Sequence, residues 1–274
     1  VSAFAARLRA ALLTRRPARQ RGAGIASPRR SDGYEFAELR TYIDGDDPRR
    51  IDWAATARAS ELQTRVVLED ASLALAAAVD ASPSMLVGRT QTNYAVACAA
   101  ASSWYAAAVQ DDRCYRVGAS AVLAAPRARG RVAAAYCAAA RELPGTQLRR
   151  ELEVALALLP RDARLLVVSD FFELADATPA LRACAARFDV TALVIGDPWG
   201  GALPLGGFVR LRDAASGTVA RVYVDRRARA RYRDAVERRE RALQATLRDF
   251  GARTALLEAD GEPERALATA LDLA

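Results

Sequence analysis

Two short apolar runs that each end in an aspartate constrain this chain more than any other feature. Leu73-Ala-Leu-Ala-Ala-Ala-Val79 leads into Asp80-Ala-Ser82-Pro-Ser84-Met85, and Ala163-Arg-Leu-Leu-Val-Val168 leads into Ser169-Asp170. Apolar at nearly every position rather than alternating, such runs have the character of strands buried on both faces, which means parallel strands covered by helices on either side. Parallel strands would place both carboxylates at one carboxyl edge, where open α/β sheets hold ligands. A third run, Val190 to Gly196, ends in Asp197-Pro198. The fold expected is α/β, doubly wound around a mainly parallel sheet.

The chemistry available at that edge is narrowed by an absence. The chain contains no histidine, which removes Ser-His-Asp and Cys-His catalysis and every histidine metal ligand. What remains at Asp80, Ser82 and Ser84 is a carboxylate and two hydroxyls at alternating positions, a donor set for a hard cation. Mg²⁺ is the first candidate because it keeps several waters and takes few protein ligands; Mn²⁺ is a substitute, and Ca²⁺ asks for more oxygens. Cys98, Cys114, Cys137 and Cys184 are scattered without a CxxC pair and read as buried free thiols of a reducing compartment. No apolar run approaches the roughly 20 residues needed to span a bilayer. Arg7 and Arg9 interrupt the stretch most like a secretory signal, so the expected location is cytoplasmic.

All 40 basic residues are arginine, and the formal charge is +7. Distributed among Asp and Glu, without interleaved aromatics, they read as solvated helix faces rather than a stripe for nucleic acid, and no specific nucleic-acid partner is expected.

The other segments fit around the buried runs. Residues 1–32 comprise an amphipathic helix with Phe4, Leu8 and Leu12 on one face and a basic linker. The helix is expected to pack on the domain or a partner, contact with a membrane surface being the lesser alternative. Residues 33–70 contain an extended aromatic stretch, then a turn at Gly45, an N-cap at Asp47, Pro48 opening a short helix with Ile51 and Trp53, and a strand from Leu62 to Glu69 beside the central one. Asp44, Asp46 and Asp47 do not make a calcium loop, since Arg49 stands where glycine is needed and Ala55 where glutamate is needed. Residues 71–274 hold the α/β succession. In it Gly145 precedes Thr146 at the start of a helix from Leu148 to Leu159, giving a hydroxyl that is either a site group or an N-cap. A β-hairpin insertion occupies 197–225. The long helix Asp225 to Phe250 is expected to bury Tyr232, Val236, Leu243, Leu247 and Phe250, with Asp234–Arg238 and Glu237–Arg241 pairs on its wet face.

With these residues placed, the chain resembles a von Willebrand factor A-type domain: Asp80-x-Ser82-x-Ser84 matches the opening of that family's metal-ion-dependent adhesion site. The threonine and second aspartate of that site would correspond to Thr146, in Pro144-Gly-Thr146, and Asp170, in Val-Ser-Asp170. Gly45-Asp-Asp-Pro-Arg-Arg-Ile-Asp-Trp53, followed by Ala55-Thr-Ala-Arg58, is similar to the signature of a bacterial family called domain of unknown function 58. Its members are von Willebrand A-like and typically encoded beside MoxR-type AAA+ ATPases. The match runs from about Gly33 onward and includes the hairpin insertion.

The resemblance implies a non-enzymatic adaptor. A cation held by Asp80, Ser82, Ser84, Thr146 and Asp170 would accept an acidic side chain from a protein partner, in work alongside a MoxR-type ATPase. The alternative is a Mg²⁺-dependent phosphoryl hydrolase with Asp80 as nucleophile and Arg89 or Arg50 clamping the phosphoryl group, but no second carboxylate stands beside Asp80 in its loop. Arginine-mediated nucleic-acid binding is the third reading.

Overall fold

The computed structural model describes residues 2–14, 34–42, 51–59, 61–69, 72–125, 127–141, 145, 147–199, 201–203, 206–258 and 260–273. They fall into two compact units, Val1–Ala23 with Leu73–Ala274, and Gly24–Ser72.

In the smaller unit, β1 (Tyr34–Thr41) pairs antiparallel with β2 (Gln63–Glu69), and α2 (Trp53–Ala59) lies between them in sequence. The strand expected beside the central one therefore belongs to a two-stranded sheet of its own. Its alternation carries no information about which strand it joins, and the antiparallel return of β1 supplies its partner. The short helix begins at Trp53, with Asp52 Oδ1 accepting the amides of Ala54 and Ala55, both at 3.0 Å. Ile51 precedes it as a bridge residue, and Trp53 is 69% exposed. The expected cap at Asp47 and Pro48 lies outside the described residues.

The larger unit is built on a six-stranded sheet. Its elements in chain order are α1 (Ala3–Thr14), β3 (Ala74–Val79), α3 (Asn93–Tyr105), β4 (Arg113–Val117), β5 (Val122–Ala124), α4 (Gly130–Ala139), α5 (Leu148–Leu158), β6 (Ala163–Ser169), α6 (Leu174–Arg187), β7 (Asp189–Ile195), the hairpin β8 (Gly207–Arg212) and β9 (Val219–Val224), α7 (Arg226–Asp249), β10 (Arg253–Leu257) and α8 (Pro263–Leu271). The strand order is β10-β7-β6-β3-β4-β5, parallel except for β5. This is the doubly wound α/β arrangement, and its two cores show why the buried runs are continuous. Leu75, Ala77 and Val79 of β3 face a layer with α1, α3, α4 and α8, while Ala74, Ala76 and Ala78 face α5, α6 and α7. Both faces are covered, so every position is apolar.

Helix α1 belongs to the first layer, with Leu8 and Leu12 fully buried, and Arg9 ion-paired to Asp112. All four cysteines are buried free thiols. Along α7, Leu243 and Leu247 are buried, but Tyr232, Val236 and Phe250 are only half-buried, the first two because they line a cleft. The Glu237–Arg241 pair forms at 3.0 Å and the Asp234–Arg238 pair does not. Among the described residues no helix is long and apolar enough to cross a membrane.

Topology now places the site. From β3 the chain moves outward to β4 and β5, then returns to the other side of β3 for β6, β7 and β10. The direction of winding reverses between β3 and β6. Loops leaving such a pair diverge and open a crevice at the carboxyl edge. Asp80 and Asp170 follow these two strands directly.

Candidate metal centre

The register of β3 against β6 pairs Val79 with Val168, which brings Asp80 level with Ser169 and sets Asp170 one residue farther out. Asp80 N donates to Val168 O at 3.0 Å, so the ladder continues into the loop and fixes the carboxylate to the sheet. Asp80 Oδ2 accepts the Ser169 hydroxyl at 2.5 Å, and Oδ1 accepts the Ser82 amide at 2.8 Å. Ser169 Oγ in turn accepts the Phe171 amide at 2.8 Å. Pro83 disfavours a helical Ser82, and Ser82 is extended at φ −59°, ψ 158° before the single 3₁₀ turn Pro83–Leu86. That geometry brings Ser82 Oγ and Ser84 Oγ within 3.1 Å of each other.

Asp170 completes the group. Its Oδ1 accepts the Phe172 amide at 3.0 Å, while Oδ2 is buried without a hydrogen-bond partner among the described residues. Phe171, between them, has φ +52°, a left-handed backbone held by a bulky buried side chain. Arg239 of α7 donates to the Asp170 carbonyl oxygen at 2.6 Å and stacks over the Phe172 ring at 3.9 Å. Thr146 lies outside the described residues. Its neighbour Gly145, at φ +92°, donates its amide to Ala81 O at 2.8 Å, which ties that loop to the one carrying Asp80 and Ser82.

Both carboxyls are electrostatically costly. Burial pushes the Asp80 carboxyl above its ordinary value; its hydrogen bonds from Ser169 and Ser82 pull against this, and the Asp170 charge adds to the rise. Burial likewise raises Asp170, against the Ser84 hydroxyl, the Phe172 amide and the Arg239 charge. A carboxyl whose folded pKa is raised contributes stability at low pH that is lost as pH climbs through that pKa, so at neutral pH the metal-free pair works against the fold. A cation would reverse this. Protons compete with it for the same oxygens, so any Mg²⁺-induced rise in melting temperature is expected to shrink, on acidification, before the ordinary aspartate range is reached. A rise that persists unchanged into that range would mean the cation is held elsewhere.

The donor set fits a hard cation. Among the described residues no group of three or more His, Cys, Asp or Glu is arranged to hold a metal. A cation here would rest on Asp170 Oδ2, the Ser82 and Ser84 hydroxyls and water, with Asp80 orienting that shell, a coordination Mg²⁺ accepts.

Beside this group opens a cleft of about 450 Å³, lined by Ser84, Asn93, Phe172, Tyr232 and Arg239, by Arg212 to Ala215 at the hairpin turn and by Asp197 to Trp199. Sequence reasoning missed Ser169, which contacts Asp80 across 89 positions, and Arg239, one arginine among 40. It also missed Asn93, buried at the start of α3 with its Oδ1 unpartnered among the described residues. Only Ser169 carried a signal, a polar residue ending an apolar strand immediately before Asp170.

Residues 38–242 match the family described as "Protein of unknown function DUF58". An uncharacterised protein of Mycobacterium tuberculosis (strain ATCC 25618 / H37Rv), Rv1480, is 32% identical over 244 residues, covering 83% of this chain and 75% of its own length. Mb1516 of Mycobacterium bovis (strain ATCC BAA-935 / AF2122/97), also uncharacterised, matches with the same figures. Among solved structures, the conserved hypothetical protein BatB from Bacteroides thetaiotaomicron superposes with TM-score 0.44 at 15% identity, covering 73% of this chain and 98% of that one. A von Willebrand factor type A protein from Catenulispora acidiphila gives TM-score 0.39 at 13% identity, with 77% and 43% coverage. By the match of residues 38–242, more than half of its length, the chain belongs to the DUF58 family.

Proposed function

We propose that this protein is a non-enzymatic, divalent-cation-dependent protein-binding adaptor. Ser82, Ser84, Asp170 and Thr146 hold Mg²⁺, with Asp80 acting through bound water, and the incompletely coordinated ion takes a carboxylate from a partner. The observation that carries this reading is the meeting of two buried carboxylates at the reversal of strand order, one with an oxygen lacking any partner among the described residues, next to a pair of hydroxyls. Few anionic ligands leave a bound cation electrophilic, and the neighbouring cleft leaves room for a partner's side chain. The partner proposed is a MoxR-type AAA+ ATPase, on the family resemblance.

A phosphoryl hydrolase is supported less well. Both Asp80 oxygens already accept hydrogen bonds. Arg89 borders a different depression with Glu258 and Asp260, and Arg50 lies outside the described residues.

The test is capture of a purified MoxR-type ATPase from the same genome by the immobilised chain. Capture is expected in Mg²⁺ and expected to vanish in EDTA and in Asp80→Ala, whose circular dichroism should match the wild type. Capture indifferent to both treatments would end the cation-bridge reading.

A further inference from the structure

The hairpin carries a face that local stability does not explain. In the β8–β9 ladder Phe208 stands opposite Tyr223, Arg210 opposite Arg221 and Arg212 opposite Val219, so these side chains share one face. Val209 and Val224 are buried on the other. The first face is open, with Phe208 86% and Tyr223 58% exposed and their rings 4.9 Å apart. An aromatic pair and three arginines thus share one face of the hairpin. Two guanidinium groups directly across a ladder repel each other. Among the described residues neither Arg210, Arg212 nor Arg221 makes an ion pair.

The element that follows repeats the pattern. Asp225 caps α7 by accepting the Ala228 amide at 2.7 Å, and the next residues include Arg226, Arg227, Arg229, Arg231 and Arg233. Cations in the first turns of a helix oppose its dipole. From Gly207 to Arg233 the chain has eight arginines against two aspartates. Two successive elements therefore each accept an electrostatic cost of the same sign, which an anionic partner would relieve.

The position of this face says what kind of anion. Arg212, at the turn end of β8, also lines the cleft beside the candidate metal centre, so the arginine–aromatic face leads into that cleft. Four steps along the strand separate Arg212 from Phe208, about 14 Å at ~3.4 Å per step. Asp170, Glu173, Asp197 and Asp213 border the cleft end. A continuous polyphosphate backbone would be repelled there, whereas a peptide can place its carboxylates selectively. Exposed Phe172 and the half-buried Trp199 and Val236 offer apolar contact. Aromatic residues and arginine are both enriched in the buried cores of protein–protein interfaces.

We infer that the Phe208–Arg212 and Val219–Tyr223 face is a docking surface for an acidic, apolar-containing segment of a partner protein. One carboxylate of that segment reaches the cation while others pair with Arg212, Arg210 and Arg221. This rests on the proposed reading of the metal centre and extends it to the partner's chemistry.

The test uses the full chain, Mg²⁺ and a fluorescein-labelled extended peptide in which glutamate alternates with leucine or phenylalanine. A lysine-for-glutamate version and a DNA duplex serve as controls. Arg210→Glu places a carboxylate opposite Arg221, so its melting temperature should equal or exceed the wild type's. Its affinity for the acidic peptide is nevertheless expected to fall at least tenfold, with the Mg²⁺-induced thermal shift unchanged. Equal peptide affinity in both proteins would overturn the docking surface while leaving the metal centre standing. An Arg210-dependent affinity without any Mg²⁺ shift would support the surface and remove the cation from the account. Tighter binding of the duplex than of the acidic peptide, lost in Arg210→Glu, would overturn the protein-segment assignment in favour of nucleic acid.

Discussion

Mg²⁺ is expected to raise the melting temperature of the wild-type chain and to leave that of Asp170→Asn where it was. A ligand that binds only the folded state adds about 2.7 kcal/mol at a hundredfold excess over its Kd, which for a protein of this size is about 5–10 °C. In Asp170→Asn the amide oxygen still accepts the Phe172 N–H, and the amide nitrogen takes the place of the oxygen without a partner among the described residues, beside the serine hydroxyls. The substitution removes one of two buried, mutually repelling charges, so the metal-free variant should melt at or above the wild type. Differential scanning fluorimetry in EDTA and in Mg²⁺ makes the comparison. Equal Mg²⁺ shifts for the two proteins would place the ion away from Asp170.

Asp112→Ala is expected to be the most damaging single change outside the site. This carboxylate is fully buried and accepts the Leu73 amide at 2.6 Å, the Val109 amide at 2.7 Å and the Arg9 guanidinium. One side chain thereby fixes the entry into β3, the loop after α3 and the helix α1. Removing it takes the acceptor from two amides, at about 1–3 kcal/mol each, and one ion-pair partner from the partly exposed Arg9, a loss of about 3–5 kcal/mol in all. The midpoint of urea unfolding reads this directly. A loss below about 1 kcal/mol would show that water takes over the carboxylate's hydrogen bonds.

The same two residues show where the sequence was informative. Asp80 and Asp170 could be placed at one sheet edge because continuous apolar runs imply strands covered on both faces, and parallel strands align their carboxyl ends. Asp112 could not be anticipated, because a lone aspartate between a helix and a strand looks like any turn residue. Its partners at positions 9 and 73 come together only through the layer order. Ser169 was hidden for a related reason, since its role depends on the register of β3 against β6. The misplacement of β2 had a different cause. Alternation marks a half-buried strand but says nothing about its neighbour, and β1 lay in a stretch read only as extended. At the hairpin the turn residues were legible, but the opposition of Arg210 to Arg221 required the register.

Phe171 bears on how the centre would respond to an ion. A left-handed backbone at a bulky residue costs on the order of 1–3 kcal/mol, and here the ring is only 2% exposed, packed in the layer with α5, α6 and α7. Apolar packing therefore helps to hold the bend that turns the chain out of β6. A cation arriving would meet oxygens already in place and would surrender little of its binding energy to ordering the loop. Recognition could then be quick and reversible, governed by when a partner's carboxylate arrives rather than by refolding of the receptor.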